Sequence, residues 1–201
     1  MAYKQHFIEW FSGKQIPSYW YLSQVGGSGS TFVGKDEVDG GMVMISGTGA
    51  NNNSWWGFNA KNQYAHDGFV QIAVWRLDPT SNGHTYNNAQ CGMSAQTNDT
   101  GANSVGWTIR KTQTYIDFRT KNGSSATDGF INTTTPVDNN FHHTKIQANS
   151  ASSYDFSVDN VLSANRTTNL PQGAMSPFVK CDDSGQVPSA LGIRYMECYN
   201  T

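Results

Sequence analysis

Short alternations of apolar and polar residues run along most of this chain. Val105, Trp107 and Ile109 share one face of an extended segment, with Thr108 and Arg110 on the other. Ile116 and Phe118 oppose Tyr115, Asp117 and Arg119, and Tyr154, Phe156 and Val158 alternate with Asp155, Ser157 and Asp159. A period of two marks a strand with one buried face. The segment Phe69–Leu77 (FVQIAVWRL) is apolar on both faces, which places it centrally in a sheet. Further strands are predicted around 6–11, 18–25, 42–46, 89–96, 129–133, 142–148, 174–181 and 190–199. Turn-forming residues separate them: Gly26–Ser30 (GGSGS), Gly47–Ser54 (GTGANNNS) and Pro79–Gly83 (PTSNG). Asp159-Asn160, between Val158 and Val161, fits a two-residue hairpin because both residues tolerate positive φ. No repeat period and no linker divides the chain. About a dozen strands with short polar connections predict an all-β protein, one antiparallel β-sandwich domain over residues 1–201.

Composition strengthens this picture. Only 14% of the 201 residues are charged, and mean hydropathy is -0.54, so the polarity comes from uncharged side chains. Asn, Ser and Thr make up roughly 28%, with 20 Gly besides, a mixture poor in helix formers. Six Trp, 9 Tyr and 10 Phe argue against disorder. A net charge of -2 gives no electrostatic footprint for nucleic acid. No apolar run approaches the roughly 18 residues of a membrane span, so neither partner is expected. The opening MAYKQHFIEWFSGKQIP lacks the apolar core of a secretory signal. Cys91, Cys181 and Cys198 cannot all pair within one chain and are expected as reduced, partly buried thiols.

Phe11 is followed by Tyr19-Trp20, Asp39-Gly40-Gly41 precedes the strand from Met42, and Asp67-Gly68-Phe69 opens the central strand. Later come Phe141-His142 leading to Ile146, the hairpin from Phe156 to Asn160, Leu170-Pro171, Met175-Ser176-Pro177 and a closing strand Leu191–Tyr199. In this order of weak motifs the chain resembles the concanavalin A-like lectin/glucanase (laminin-G-like) jelly rolls over nearly its whole length. The resemblance implies two large sheets bent into a concave surface on which many members bind glycans. It does not fix function, since enzymes, lectins and structural modules share this architecture.

Hydrolases of this superfamily carry Glu-x-Asp-x-x-Glu on one strand, where alternation puts the acids on one face for the paired-carboxylate chemistry of glycosidases. The nearest match is Glu37-Val38-Asp39-Gly40-Gly41-Met42, with Met42 where the acid/base stands in those enzymes. No catalytic residue is therefore expected, and the chain is read as not an enzyme. His66-Asp67 and His142-His143 are read as structural, because neighbouring strand residues face opposite sides and cannot readily share a metal. Asp182-Asp183-Ser184-Gly185 is read as a turn, and no metal or other cofactor is expected. Five Asn-x-Ser/Thr sequons, at Asn52, Asn98, Asn122, Asn132 and Asn165, are read as products of composition. Trp55-Trp56, beside Asn53 and Asn59, is the candidate glycan-binding surface: indole stacks on the C–H face of a sugar while amides bond its hydroxyls. On a strand only one of the two Trp residues can line such a surface.

The expectation drawn from these features is a non-catalytic structural protein of a virus or phage particle, decorating a capsid or belonging to a tail or fibre. It would be made in the host cytoplasm and localised to the virion. Its expected partners are itself, as a homo-oligomer, other particle proteins and host-surface glycans. Two alternatives stand beside it: a glycan-binding lectin or adhesion module, and a polysaccharide hydrolase with an atypical acid pair.

Overall fold

A computed structural model describes residues 6–11, 18, 20–25, 32–33, 42–45, 53–58, 64–77, 87–95, 103–109, 113–123, 129–183 and 190–201. Among these residues the regular structure is entirely β. The strands are β1 (His6–Trp10), β2 (Trp20–Val25), β3 (Phe32–Val33), β4 (Met42–Ile45), β5 (Asn53–Phe58), β6 (Phe69–Leu77), β7 (Asn87–Ser94), β8 (Ser104–Ile109), β9 (Tyr115–Lys121), β10 (Gly129–Pro136), β11 (His142–Ser150), β12 (Ser153–Val158), β13 (Val161–Arg166), β14 (Ser176–Asp183) and β15 (Ala190–Asn200). They form two antiparallel sheets. One runs β13-β12-β11-β6-β15-β4-β3, with β1 also on β15, and the other runs β10-β9-β8-β7-β14-β5-β2. The sandwich expected from the alternations is the observed one.

The doubly apolar strand β6 lies between β11 and β15, as its pattern requires. Its partner β15 carries a bulge between Ile193 and Tyr195. The extra residue, Arg194, resets the alternation, so that Leu191 and Ile193 before it and Met196 and Cys198 after it are all buried in the core. The bulge also divides that edge of β15. Ala190–Ile193 pairs with β4, and Tyr195–Tyr199 pairs with β1. The Phe11 N–H donates to the Arg194 carbonyl at 3.1 Å, closing the junction. At the other end of this sheet, Asp159 and Asn160 adopt φ of 51° and 65° and turn β12 into β13 as expected.

The sheets meet over an aromatic core. The Trp75 indole on β6 stacks on Trp107 of β8, with centroids 3.3 Å apart and planes 3° from parallel. Phe118 of β9 packs on Phe156 of β12 at 4.7 Å. Several polar atoms that enter this core find partners there. Trp75 Nε1 donates to Thr144 Oγ1 at 3.1 Å, and that hydroxyl donates to the Ala73 carbonyl. Tyr64 Oη donates to the Cys198 carbonyl, and Tyr154 Oη to the His66 carbonyl. None of the three cysteines forms a disulfide, all are fully enclosed, and burial pushes the Cys91 and Cys198 thiols up, holding both protonated.

Two local expectations change. Asn53 and Ser54, read as the end of a loop, open β5, because the strand pairs on both sides, with β14 and β2. Asp182 and Asp183, read as a turn, extend β14 and pair with Asn88 and Asn87. Ladder hydrogen bonds on two flanks outweigh the turn preference of Asn and Asp.

Candidate functional site

The face of the seven-stranded sheet turned away from the core is built by the residues that alternate with Ala89, Cys91, Val105, Trp107, Ile116 and Phe118. Register aligns them into rows across the strands. One row runs Asn132, Asp117, Thr108, Gln90, Lys180, Trp55 and Ser23. The adjacent row runs Phe130, Arg119, Gly106, Gly92, Phe178 and Gly57. A third carries Lys121, Ser104, Ser94 and Ser176. Six consecutive positions of the first row, Asn132 to Trp55, thus hold five polar side chains and an indole-bearing residue.

The middle row has a floor without side chains. Gly92 and Gly106 face each other across β7 and β8, and the strands approach closely there. A Cβ on Gly106 would lie 2.6 Å from the Cys91 carbonyl oxygen, so only glycine fits without moving backbone. This floor separates Arg119 and Phe130 on one side from Phe178 on the other. The Arg119 guanidinium lies 5.8 Å from the Phe130 ring centroid, and its Nη1 donates to Gln90 Oε1 at 3.5 Å, joining the two rows.

Polar groups on this face are deeply enclosed. Asp117 is 0% exposed and Thr108 is 1% exposed, with Gln90, Ser94 and Ser104 also buried. Among the described residues the Thr108 hydroxyl has no hydrogen-bond partner. Burying an unpartnered hydroxyl costs roughly 1–3 kcal/mol, and the buried Asp117 carboxyl group lies beside it in the row. The row therefore offers acceptors at Asp117 and Gln90, a free hydroxyl at Thr108 and cations at Arg119 and Lys180. That set suits a ligand rich in hydroxyls.

Of the candidate residues read from sequence, Trp55 falls in the Asp117–Thr108–Gln90 row. Trp56 falls in the next, whose other members Val179, Cys91, Trp107 and Phe118 are buried in the core. Asn53 pairs with Asp182 and Val25, and Asn59 lies outside the described residues. Asp117, Thr108, Gln90 and Arg119 were not singled out from sequence. Their signal was present in the polar positions of three strands, β7, β8 and β9, and in the mid-strand glycines, 92 and 106.

The other titratable cluster is structural. His142 is buried and His143 half-buried on the opposite face, as alternation requires. His142 Nδ1 faces Asp159 Oδ2 at 2.9 Å and its Nε2 faces Asp138 Oδ1 at 3.0 Å, while Asp159 Oδ1 accepts from the His143 N–H. This ties the turn before β11 to the β12–β13 hairpin. Burial tends to raise the Asp138 carboxyl, but hydrogen bonds from Asn140 and His142 outweigh it and hold it below the usual value. Among the described residues no group of three or more His, Cys, Asp or Glu is placed to hold a metal ion.

Solved structures share this architecture. The chain is similar to a native glycosidic hydrolase at 14% identity, covering 96% of this chain and 95% of that one with a TM-score of 0.69. It is similar to the carbohydrate recognition domain of Emp47p at 10% identity, covering 97% and 94%, TM-score 0.68. It is similar to a Bacillus licheniformis β-glucanase at 12% identity, covering 98% of both chains, TM-score 0.64. No protein-family model matches the sequence, and no curated protein does. The fold is that of the concanavalin A-like lectin and glucanase jelly rolls.

The reading of the chain as not an enzyme is corrected here, because glycoside hydrolases stand among the structures it resembles throughout its length. Met42, the position at which the acid motif would end, lies buried in the core on β4, in the other sheet. Glu37 and Asp39 lie outside the described residues. The absence of an acid at position 42 carries no information about the face that holds Asp117.

Proposed function

We propose that this protein binds an oligosaccharide across the outer face of its seven-stranded sheet. The observation that carries the reading is the row Asn132–Asp117–Thr108–Gln90–Lys180, beside a side-chain-free glycine floor, with a buried Thr108 hydroxyl left without a partner among the described residues. A sugar chain that reaches this enclosed row exchanges its hydroxyl hydrogen bonds with water for those of the row. The similar structures that bind or cleave carbohydrates support the same class of ligand. Titration calorimetry with laminarihexaose, cellohexaose and xylohexaose tests it. Binding of at least one, weakened tenfold or more by Asp117→Asn or Gln90→Ala in a folded variant, is the expected result. Failure of all three to bind, or binding indifferent to both substitutions, overturns the site.

Hydrolysis of the bound glycan is a second reading, favoured by the Asp117 carboxyl group lying within the row. Glycosidases need a second carboxyl group roughly 5–10 Å away across the scissile bond. Release of new reducing ends from a bound oligosaccharide, abolished by Asp117→Asn, is the result this reading expects.

The placement on a virus or phage particle, with copies of itself and other particle proteins as partners, belongs to the same proposal. It is supported by the 14% charged fraction and by two edge strands, β10 and β13, that carry one charged residue between them, Arg166. Solitary proteins guard such edges with charge. A cavity of about 270 Å³ opens between them, next to Val161 and Leu162, both more than half exposed. Light scattering on the purified protein and electron microscopy of its source test the placement; a monomer absent from any particle overturns it.

A further inference from the structure

The outer face of the opposite sheet carries a second cluster that the proposed function does not use. Register sets β1 against β15 so that Trp10 pairs with Tyr195, Ile8 with Glu197 and His6 with Tyr199. Trp10 is 63% exposed, and one face of its indole packs on the Tyr195 ring at 4.5 Å and 53°. Much of the indole surface beyond that contact is open to solvent. Two residues along, the Glu197 carboxylate is held from both sides. Its Oε1 takes His6 Nε2 at 2.7 Å, and its Oε2 accepts from Tyr195 Oη at 2.8 Å. The His6 ring in turn meets Tyr199 edge-on at 5.7 Å.

We infer that this cluster is a second saccharide-binding site, with the pyranose C–H face stacked on Trp10 and the ring hydroxyls bonded to Glu197 and His6. The inference uses no residue of the seven-stranded face and does not rest on binding there. Three features favour a sugar over a protein partner. The exposed indole is fixed in orientation by Tyr195, so stacking on it costs little ordering entropy. Each Glu197 oxygen accepts one hydrogen bond and keeps a lone pair for a hydroxyl donor, which a fixed carboxylate presents to neighbouring hydroxyls as a pair. The surface interleaves charge with apolar groups: across the strands one row reads Ile8, Glu197, Ile72, Lys145 and the next Trp10, Tyr195, Val74, His143. The buried centre of a protein interface is depleted of such charges, whereas an amphipathic sugar uses both kinds of surface. A shallow site with one stacked ring predicts a Kd between about 40 μM and 1 mM, equivalent to about -6 to -4 kcal/mol.

The test follows the indole N–H resonance of Trp10, assigned by its loss in Trp10→Phe, during titration of the full chain with the same hexasaccharides and with mannohexaose. Saturable movement of that resonance by at least one sugar supports the inference, provided Trp10→Ala and Glu197→Gln each weaken that binding tenfold or more. The effect must persist in Thr108→Val, which disables only the other face. No movement with any sugar overturns it, and so does binding that survives both substitutions. A Trp10 resonance that shifts with protein concentration and not with sugar assigns the cluster to a contact between two copies, and overturns it equally.

Discussion

Replacing Trp107 tests how the two sheets are joined. Trp75 and Trp107 are both wholly enclosed and stack face to face at 3.3 Å, one from each sheet. Truncating either indole to Ala removes a full aromatic contact and leaves a cavity, at about 3–5 kcal/mol. That is a large part of the roughly 5–15 kcal/mol that holds a domain folded, so Phe is the informative replacement. Trp107→Phe keeps a ring in the stack. Trp75→Phe also loses the hydrogen bond to Thr144 Oγ1, worth a further ~1 kcal/mol. We expect Trp75→Phe to cost more than Trp107→Phe by that amount. The double variant should show a coupling of about 0.5–1.5 kcal/mol, the part owed to ring–ring geometry. Urea unfolding of the four proteins gives the cycle, and near-ultraviolet circular dichroism should lose an intense indole couplet in either single variant. Equal costs for the two substitutions with no coupling would refute the stacked join.

Other substitutions probe separate parts of the account. Gly106→Ala should cost about 1–3 kcal/mol in urea unfolding, because its Cβ meets the Cys91 carbonyl and not a movable side chain; hexasaccharide binding should weaken with it. The Asp138 carboxyl is held below its ordinary 3.8, so the stability it contributes is present above that pH and is lost as pH falls through the lowered value. Asp138→Asn should flatten the acid limb of a stability-against-pH curve. Burial first, and then the Glu197 carboxylate, push the Tyr195 phenol from 10.0 up to about 12. Its contribution is full below pH 10 and disappears as pH rises toward 12, and a phenolate absorbance titration that loses a step near pH 12 in Tyr195→Phe checks the assignment, the more deeply buried Tyr64 and Tyr154 phenols titrating later.

Much of the fold was legible because each strand's partners left a trace in its own residues. β6 is apolar on both faces and lies between two strands, and the 105–109 and 154–158 alternations report one buried face each. Asp159-Asn160 announced its hairpin through the φ it tolerates. What stayed hidden depends on pairs distant in sequence. Asp117, Thr108 and Gln90 read as ordinary polar positions on three strands, and only the register of β7, β8 and β9 makes them one row. Met42 drew attention as the end of an acid motif, while its position in β4, against Ile193, makes it a core residue. Trp55 and Trp56 were separable in principle by alternation, but which of the two joins the polar row depends on the pairing of Lys180 and Val179 in β14.

The central claim is that a saccharide lies over the glycine floor of the seven-stranded sheet. A crystal structure of the protein soaked with the hexasaccharide that binds best in calorimetry examines it directly. The account predicts sugar density spanning Gly92 and Gly106, with hydroxyls within hydrogen-bond distance of Thr108 Oγ1, Gln90 and Asp117. Density absent from that face, in a crystal where the face is open and the sugar is bound elsewhere, would contradict it.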